Sequence, residues 1–160
     1  MEVVLGDITT QDTDALVNAA NSDLTGGSGV NGAIHNAAGP QLPDALRKFG
    51  GCHTGAAVIT PGFNMKCRYI IHAVGPIWHG GSLGEEALLA RCYRTCLDLA
   101  TEYELESISF PLISTGIYGY PPHLAIPVAV ATVKEHAKIR LVRFVAFDNR
   151  MYEMLLREVT

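Results

Sequence analysis

The chain has 160 residues, 48% of them hydrophobic and 18% charged, with a formal net charge of −4 and a pI near 5.8. That length and apolar share suit one domain over residues 1–160 with a full core, and the acidic balance argues against a polyanion-binding surface, because nucleic-acid affinity draws mainly on Lys and Arg. No run approaches the ~18 apolar residues of a membrane helix and the start lacks the basic-then-apolar order of a signal peptide, so a small ligand, no nucleic acid or membrane partner, and a cytoplasmic location are expected.

Taken in chain order, short apolar runs rich in β-branched and aromatic residues predict strands at Val3–Leu5, Ala15–Val17, Ala56–Ile59, Tyr69–Val74, Ile108–Phe110 and Leu141–Phe147. Between them, helical patterns cover Val30–Ala38, Pro43–Lys48, Gly84–Thr101, Leu124–Lys138 and Asn149–Val159. Strands that alternate with helices predict an α/β fold with a largely parallel sheet. Ser82-Leu83-Gly84-Glu85 has the spacing of a capping box at the head of the longest helix, and Asp148-Asn149 that of a cap on the last. Pro127 falls early in its helix, where a missing donor matters little if the helix begins near Pro122. Cys92 and Cys96, four apart in a helical pattern with Leu88 and Leu99, are expected as buried thiols. Cys52-His53 and Cys67 suggest a zinc corner on paper, but no second paired motif completes a ligand set. His35 and His72 read as hydrogen-bonded structural residues.

Two glycine-rich turns stand out. The first runs from Asn18-Ala19-Ala20-Asn21 through Thr25-Gly26-Gly27-Ser28-Gly29-Val30-Asn31-Gly32, and the second is Ser114-Thr115-Gly116-Ile117-Tyr118-Gly119-Tyr120. No Lys or Arg lies between Met1 and Leu46, or between Thr95 and Val133. Glycines that turn successive amides the same way at a helix start make an anion site from N–H groups and dipole alone, and two such turns after predicted strands should line one crevice and hold two phosphates. Gly27-Ser28-Gly29-Val30-Asn31-Gly32 matches the dinucleotide G-x-G-x-x-G formally, yet the acidic residue expected about twenty positions on is replaced by Gly50-Gly51-Cys52-His53. A P-loop lacks its lysine in both turns.

Together these segments resemble the macrodomain family, and within it the MacroD-type ADP-ribosyl hydrolases. The likeness runs through Gly6-Asp7-Ile8-Thr9, Val17-Asn18-Ala19-Ala20-Asn21, Leu24 to His35, Ala37-Ala38-Gly39-Pro40, Gly51 to Ala56, Tyr69 to Pro76, and Phe110-Pro111 into Ile113 to Pro121. It implies a three-layer α/β/α fold around a mixed, largely parallel sheet of about six strands. It also implies a binder of ADP-ribose that needs no cofactor and acts on mono-ADP-ribosylated proteins and O-acetyl-ADP-ribose. Asp7 and the Ile8 amide would take the adenine, with Phe147 on its face; a turn-forming Asp7 and a core Phe147 look the same in the sequence. Asn21 would bond the distal ribose. Gly27, Ser28, Gly29 and Val30 would wrap one side of the diphosphate, and Ser114, Thr115, Gly116, Ile117 and Tyr118 the other, with Tyr118 against the distal ribose.

Two positions depart from the family pattern: Asn31 stands where an Asp is usual, and Ser28 where a Gly is usual. The family's carboxylate is thought to position or deprotonate the attacking water, and an Asn can hold a water but takes up no proton. Asn21 and Asn31 are therefore the candidate catalytic pair. Two functions stay open: an ADP-ribosyl-ester hydrolase and deacetylase slowed by Asn31, or a reader that binds ADP-ribose without turnover.

Overall fold

Each apolar run forms a strand and each helical pattern a helix in the computed structural model, which describes residues 1–160. In order the elements are β1 (Glu2–Leu5), a short 3-10 turn (Ile8–Thr10), β2 (Ala15–Ala20), α1 (Gly29–Ala38), α2 (Gln41–Arg47), β3 (Ala57–Pro61), β4 (Tyr69–Val74), α3 (Glu85–Glu102), β5 (Ser107–Phe110), α4 (Pro122–His136), β6 (Leu141–Ala146) and α5 (Asn149–Val159). The six strands make one sheet in the order β1-β6-β5-β2-β4-β3, parallel throughout except where β3 runs against β4.

Strand side chains alternate between faces, and the alternation builds two cores. Ala15 and Val17 of β2, Ile71 and Ala73 of β4, and Phe110 and Phe144 of β5 and β6 bury against α3, α4 and α5. Leu16, Ala20, Ile70 and Val74 bury on the opposite face against Ile34 and Ala38 of α1 and Leu42 and Leu46 of α2. Cys92 and Cys96 of α3 are fully buried in the first core, as their spacing predicts. There Tyr93 packs 5.0 Å from Phe110, and its hydroxyl accepts from the Ile113 amide at 3.1 Å and donates to the Pro111 carbonyl at 3.4 Å. Burial pushes the Tyr93 phenol far up, so it stays neutral and pins the chain leaving β5.

Two local expectations change. Ser82 caps nothing: α3 starts at Glu85 behind Gly84, whose φ of 78° suits glycine, and no side chain closes a capping box there. The Glu85 carboxylate turns back onto the preceding loop, where its Oε2 accepts from the His79 and Gly81 amides at 2.9 Å and its Oε1 from the Leu83 amide at 2.7 Å. Those amide bonds, the His79 one foremost, hold its acid down to about 2. Pro127 sits beyond the first turn of α4, which begins at Pro122, so the helical bond to the His123 carbonyl is lost rather than spared. Asp148 does cap α5, accepting from the Met151 amide at 2.8 Å.

Candidate ligand-binding cleft

The carboxyl ends of β1, β2, β4, β5 and β6 open into a cleft of about 680 Å³. Parallel strands end on one side of a sheet, and the loops leaving them must diverge there, which is why ligands of such sheets gather at that edge. Every residue singled out for a site lines this cleft: Asp7, Ile8, Asn21, Gly27 to Asn31, Ser114 to Tyr118, and Phe147.

The two glycine turns, which follow the neighbouring strands β2 and β5, both line it. In the first, α1 begins on Ser28 and Gly29, and the amides of Gly27, Ser28, Gly29, Val30 and Asn31 have no acceptor within the chain. Gly32 makes that geometry attainable, because a Cβ there would lie 2.3 Å from the Gly27 carbonyl oxygen. In the second, Tyr120 N–H donates to the Ser114 carbonyl at 2.9 Å and Gly119 N–H to the Gly116 carbonyl at 3.0 Å, while the amides of Gly116, Ile117 and Tyr118 are left without acceptors. Ser114 adopts a left-handed φ of 71°, and its buried Oγ has no partner. A Cβ on the neighbouring Gly75 would fall 2.3 Å from that oxygen, so Gly75 makes room for it.

At one end of the cleft Asp7 caps the 3-10 turn: its Oδ1 accepts from Thr9 N at 2.8 Å and Thr9 Oγ1 at 2.7 Å, and its exposed Oδ2 has no partner. Asp7 is thus both a turn residue and a free acceptor. Phe147 is 68% exposed at the rim, which separates it from the core aromatics, and Val145 and Met151 line the wall nearby. Gln11 ties this end to the sheet, donating to the Asp7 carbonyl at 2.8 Å and accepting from Arg143 of β6 at 3.1 Å.

At the other end both asparagines are occupied. Asn21 Nδ2 donates to the Thr25 carbonyl at 3.0 Å and its Oδ1 accepts from Thr25 N at 3.0 Å, clamping the turn after β2. Asn31 is 7% exposed; its Nδ2 donates to the same carbonyl at 2.9 Å and its Oδ1 accepts from Asn18 Nδ2 at 2.9 Å. Asn18 gives its second hydrogen to His72 Nδ1 at 3.1 Å, across the β2–β4 register that pairs them. His72 Nε2 lies 3.0 Å from Thr60 Oγ1, which is 3.1 Å from the Pro61 carbonyl. One consistent set of donors follows: Nε2–H donates to Thr60, Thr60 donates to Pro61, and His72 is neutral. Burial, with His35 nearby, holds its acid down to about 3. His35 is half-buried against Gly26, and burial alone lowers it. His72 is a hydrogen-bonded structural residue, as expected from sequence, whereas the His35 ring packs against Gly26 without a hydrogen bond to the chain.

The model of the family described as Macro domain matches residues 17–129, more than half of the chain. The chain belongs to that family. A macro domain-containing protein of Ralstonia nicotianae is 55% identical over 99% of this chain and 95% of its own length. Among solved structures, the Oceanobacillus iheyensis macrodomain with ADP is 45% identical with a TM-score of 0.93, covering 98% of this chain and 88% of its own. The Trypanosoma brucei macrodomain in complex with ADP-ribose is 37% identical with a TM-score of 0.91, over 99% and 68%.

Several residues that shape this macro domain's cleft carry little sequence signal. Gly32 belongs to the first glycine-rich turn and Gly75 to the Tyr69–Pro76 stretch, but why each must be glycine shows only in the fold, where a Cβ would lie 2.3 Å from the Gly27 carbonyl oxygen or from Ser114 Oγ. Asn18 and Thr25 look like ordinary strand and turn residues; Thr25 gives its carbonyl to Asn21 and Asn31 close by, whereas Asn18 reaches Asn31 and the distant His72. Of the cleft's side chains, Asp7 and Tyr118 alone are ionisable.

Proposed function

We propose that this macro domain binds ADP-ribose and hydrolyses the ester joining it to acidic protein side chains, in the manner of MacroD-type enzymes, with O-acetyl-ADP-ribose as a second substrate. One observation carries the ligand: two rows of amides without acceptors lining one cleft whose walls hold no Lys, Arg or His. A diphosphate satisfies both rows at once, and neutral donors suit a ligand that must also leave. The relatives solved with ADP and with ADP-ribose support the same occupant. Adenine lies towards Asp7, Ile8 and Phe147, and the distal ribose towards Asn21, Asn31 and Tyr118.

Hydrolysis adds water across the ester and returns ADP-ribose and a carboxylic acid. Asp7 stands at the adenine end, and Asn31 has both polar atoms engaged, so no carboxylate waits beside the distal ribose. In this reading the water passes its proton to a phosphate oxygen of the substrate, while Asn21 and Asn31 hold the turn that seats it. The same absence favours a second reading, a module that binds ADP-ribose without turnover.

Paired measurements separate the two. Calorimetry of fresh protein, with intact mass verifying that Asn31-Gly32 has not deamidated, is expected to give micromolar ADP-ribose affinity, roughly −8 kcal/mol, with AMP weaker. Release of ADP-ribose from a mono-ADP-ribosylated protein supports the hydrolase. Binding without release supports the reader, and equal affinity for AMP and ADP-ribose overturns the two-turn cradle.

A further inference from the structure

The second amide turn is held from outside the cleft by a chain of contacts that ends on one carboxylate. Trp78 N–H donates to the Tyr118 carbonyl at 2.9 Å, and the Trp78 ring lies 4.6 Å from that of Tyr120, whose own amide closes the turn on Ser114. The ring is backed by Gly81, where an added Cβ would come within 2.8 Å of it. Gly81 is fixed in turn by Glu85, which gathers the His79, Gly81 and Leu83 amides on its two oxygens. Between Trp78 and Glu85 the backbone passes through left-handed glycines at 80, 81 and 84, with φ of 97°, 92° and 78°. So many left-handed residues give the loop little preference of its own, and the carboxylate supplies what fixes it.

We propose that Glu85 is a positioning residue for the phosphate-binding turn, acting through Gly81 and Trp78 to hold Ser114–Tyr120 in the conformation that presents the Gly116, Ile117 and Tyr118 amides. The geometry stands on the contacts alone; the turn's task rests on the ADP-ribose reading above. Glu85 is 2% exposed and absent from the cleft lining, so it touches no ligand there. A glutamine is nearly isosteric, but its amide nitrogen cannot accept, and one loop N–H would face another donor.

Trp78 is the only tryptophan of the chain, so its emission reports this junction directly. Amide exchange and emission are measured on the ligand-free wild type, Glu85→Gln, and Leu97→Ala, a core truncation in α3 away from the loop. In Glu85→Gln the amides of Trp78, Gly119 and Tyr120 are expected to exchange about tenfold faster, the emission to shift, and ADP-ribose affinity to fall about tenfold, the scale of one bond to a charged group. Leu97→Ala is expected to lower the melting temperature while leaving those amides and the affinity near wild type. Gly81→Ala, which keeps Glu85 and strains the contact with the ring, should repeat the Glu85→Gln signature, and it carries the test if Glu85→Gln does not fold. Unchanged exchange in Glu85→Gln or Gly81→Ala, or equal acceleration in Leu97→Ala, overturns the proposal. A wild type with no ADP-ribose affinity refutes the ligand reading, and the exchange data still decide whether Glu85 holds the turn.

Discussion

Asn31 carries a neutral amide NH2 where an aspartate would carry a second oxygen and a negative charge, and the structure shows where one of its two hydrogens goes. It binds the Thr25 carbonyl, which Asn21 also serves. Asn31→Asp therefore removes one of two donors to that oxygen and is expected to cost about 1 kcal/mol of stability, measured as a lower urea midpoint. If a carboxylate at 31 turns into the cleft as a base, release of ADP-ribose from modified protein should rise at least about tenfold in the same variant. Unchanged turnover leaves the substrate's phosphate or the reader function as the account. Asp7 calls for a finer substitution than alanine, because Oδ1 caps the 3-10 turn while Oδ2 is free. Asp7→Asn keeps an oxygen for Thr9 and puts a donor where an adenine amino group would need an acceptor. It should weaken ADP-ribose by about 1.5–3 kcal/mol by calorimetry and leave ribose 5-phosphate unaffected. A loss for both ligands would mean that the residue holds the fold alone.

At the scale of elements, the two glycine turns tolerate change differently. A Cβ on Gly32 meets the Gly27 carbonyl at 2.3 Å, whereas one on Gly116 meets nothing within 4 Å. Gly32→Ala should cost about 1–3 kcal/mol and most of the ADP-ribose affinity, and Gly116→Ala should leave stability near wild type, compared by thermal melts and calorimetry. Equal effects would mean that the first turn rearranges freely. The strands were legible because four of them are buried parallel strands that read as continuous apolar runs, and Asn18 alone hid the length of β2, interrupting its run with a buried amide. The turns were legible through their glycines and their lack of cations. The head of α3 was not: Ser82 and Glu85 have capping-box spacing, but left-handed Gly84 turns the helix start away from Ser82. The Asn18–Asn31–His72–Thr60 chain was equally hidden, since strand pairing and the packing of α1 on the sheet bring its members together and no local pattern records that.

For the whole molecule, acid is the expected weakness. His72 is held neutral with its acid at about 3 against an ordinary 6.5, so between those values the unfolded chain binds a proton that the folded one refuses. Stability should fall as pH drops from 6.5 towards 3, at up to about 1.4 kcal/mol per pH unit from this residue. Glu85, at about 2 against 4.5, adds a loss in the same direction as pH falls from 4.5 towards 2. Urea midpoints at pH 7 and pH 4 test this, and equal midpoints would mean that His72 takes up its proton without unfolding. The sheet order has a further consequence for how the protein comes into being. β1 pairs only with β6, the last strand in sequence, and the loop after β1 carries Asp7. On the ribosome β1 waits without its sheet partner until β6 emerges, so the adenine end of the cleft takes shape only after β6 is made. A nascent chain halted before β6 lacks the strand that joins β1 to the rest of the sheet and a wall of the cleft, so ligand can stabilise only chains that have passed that point.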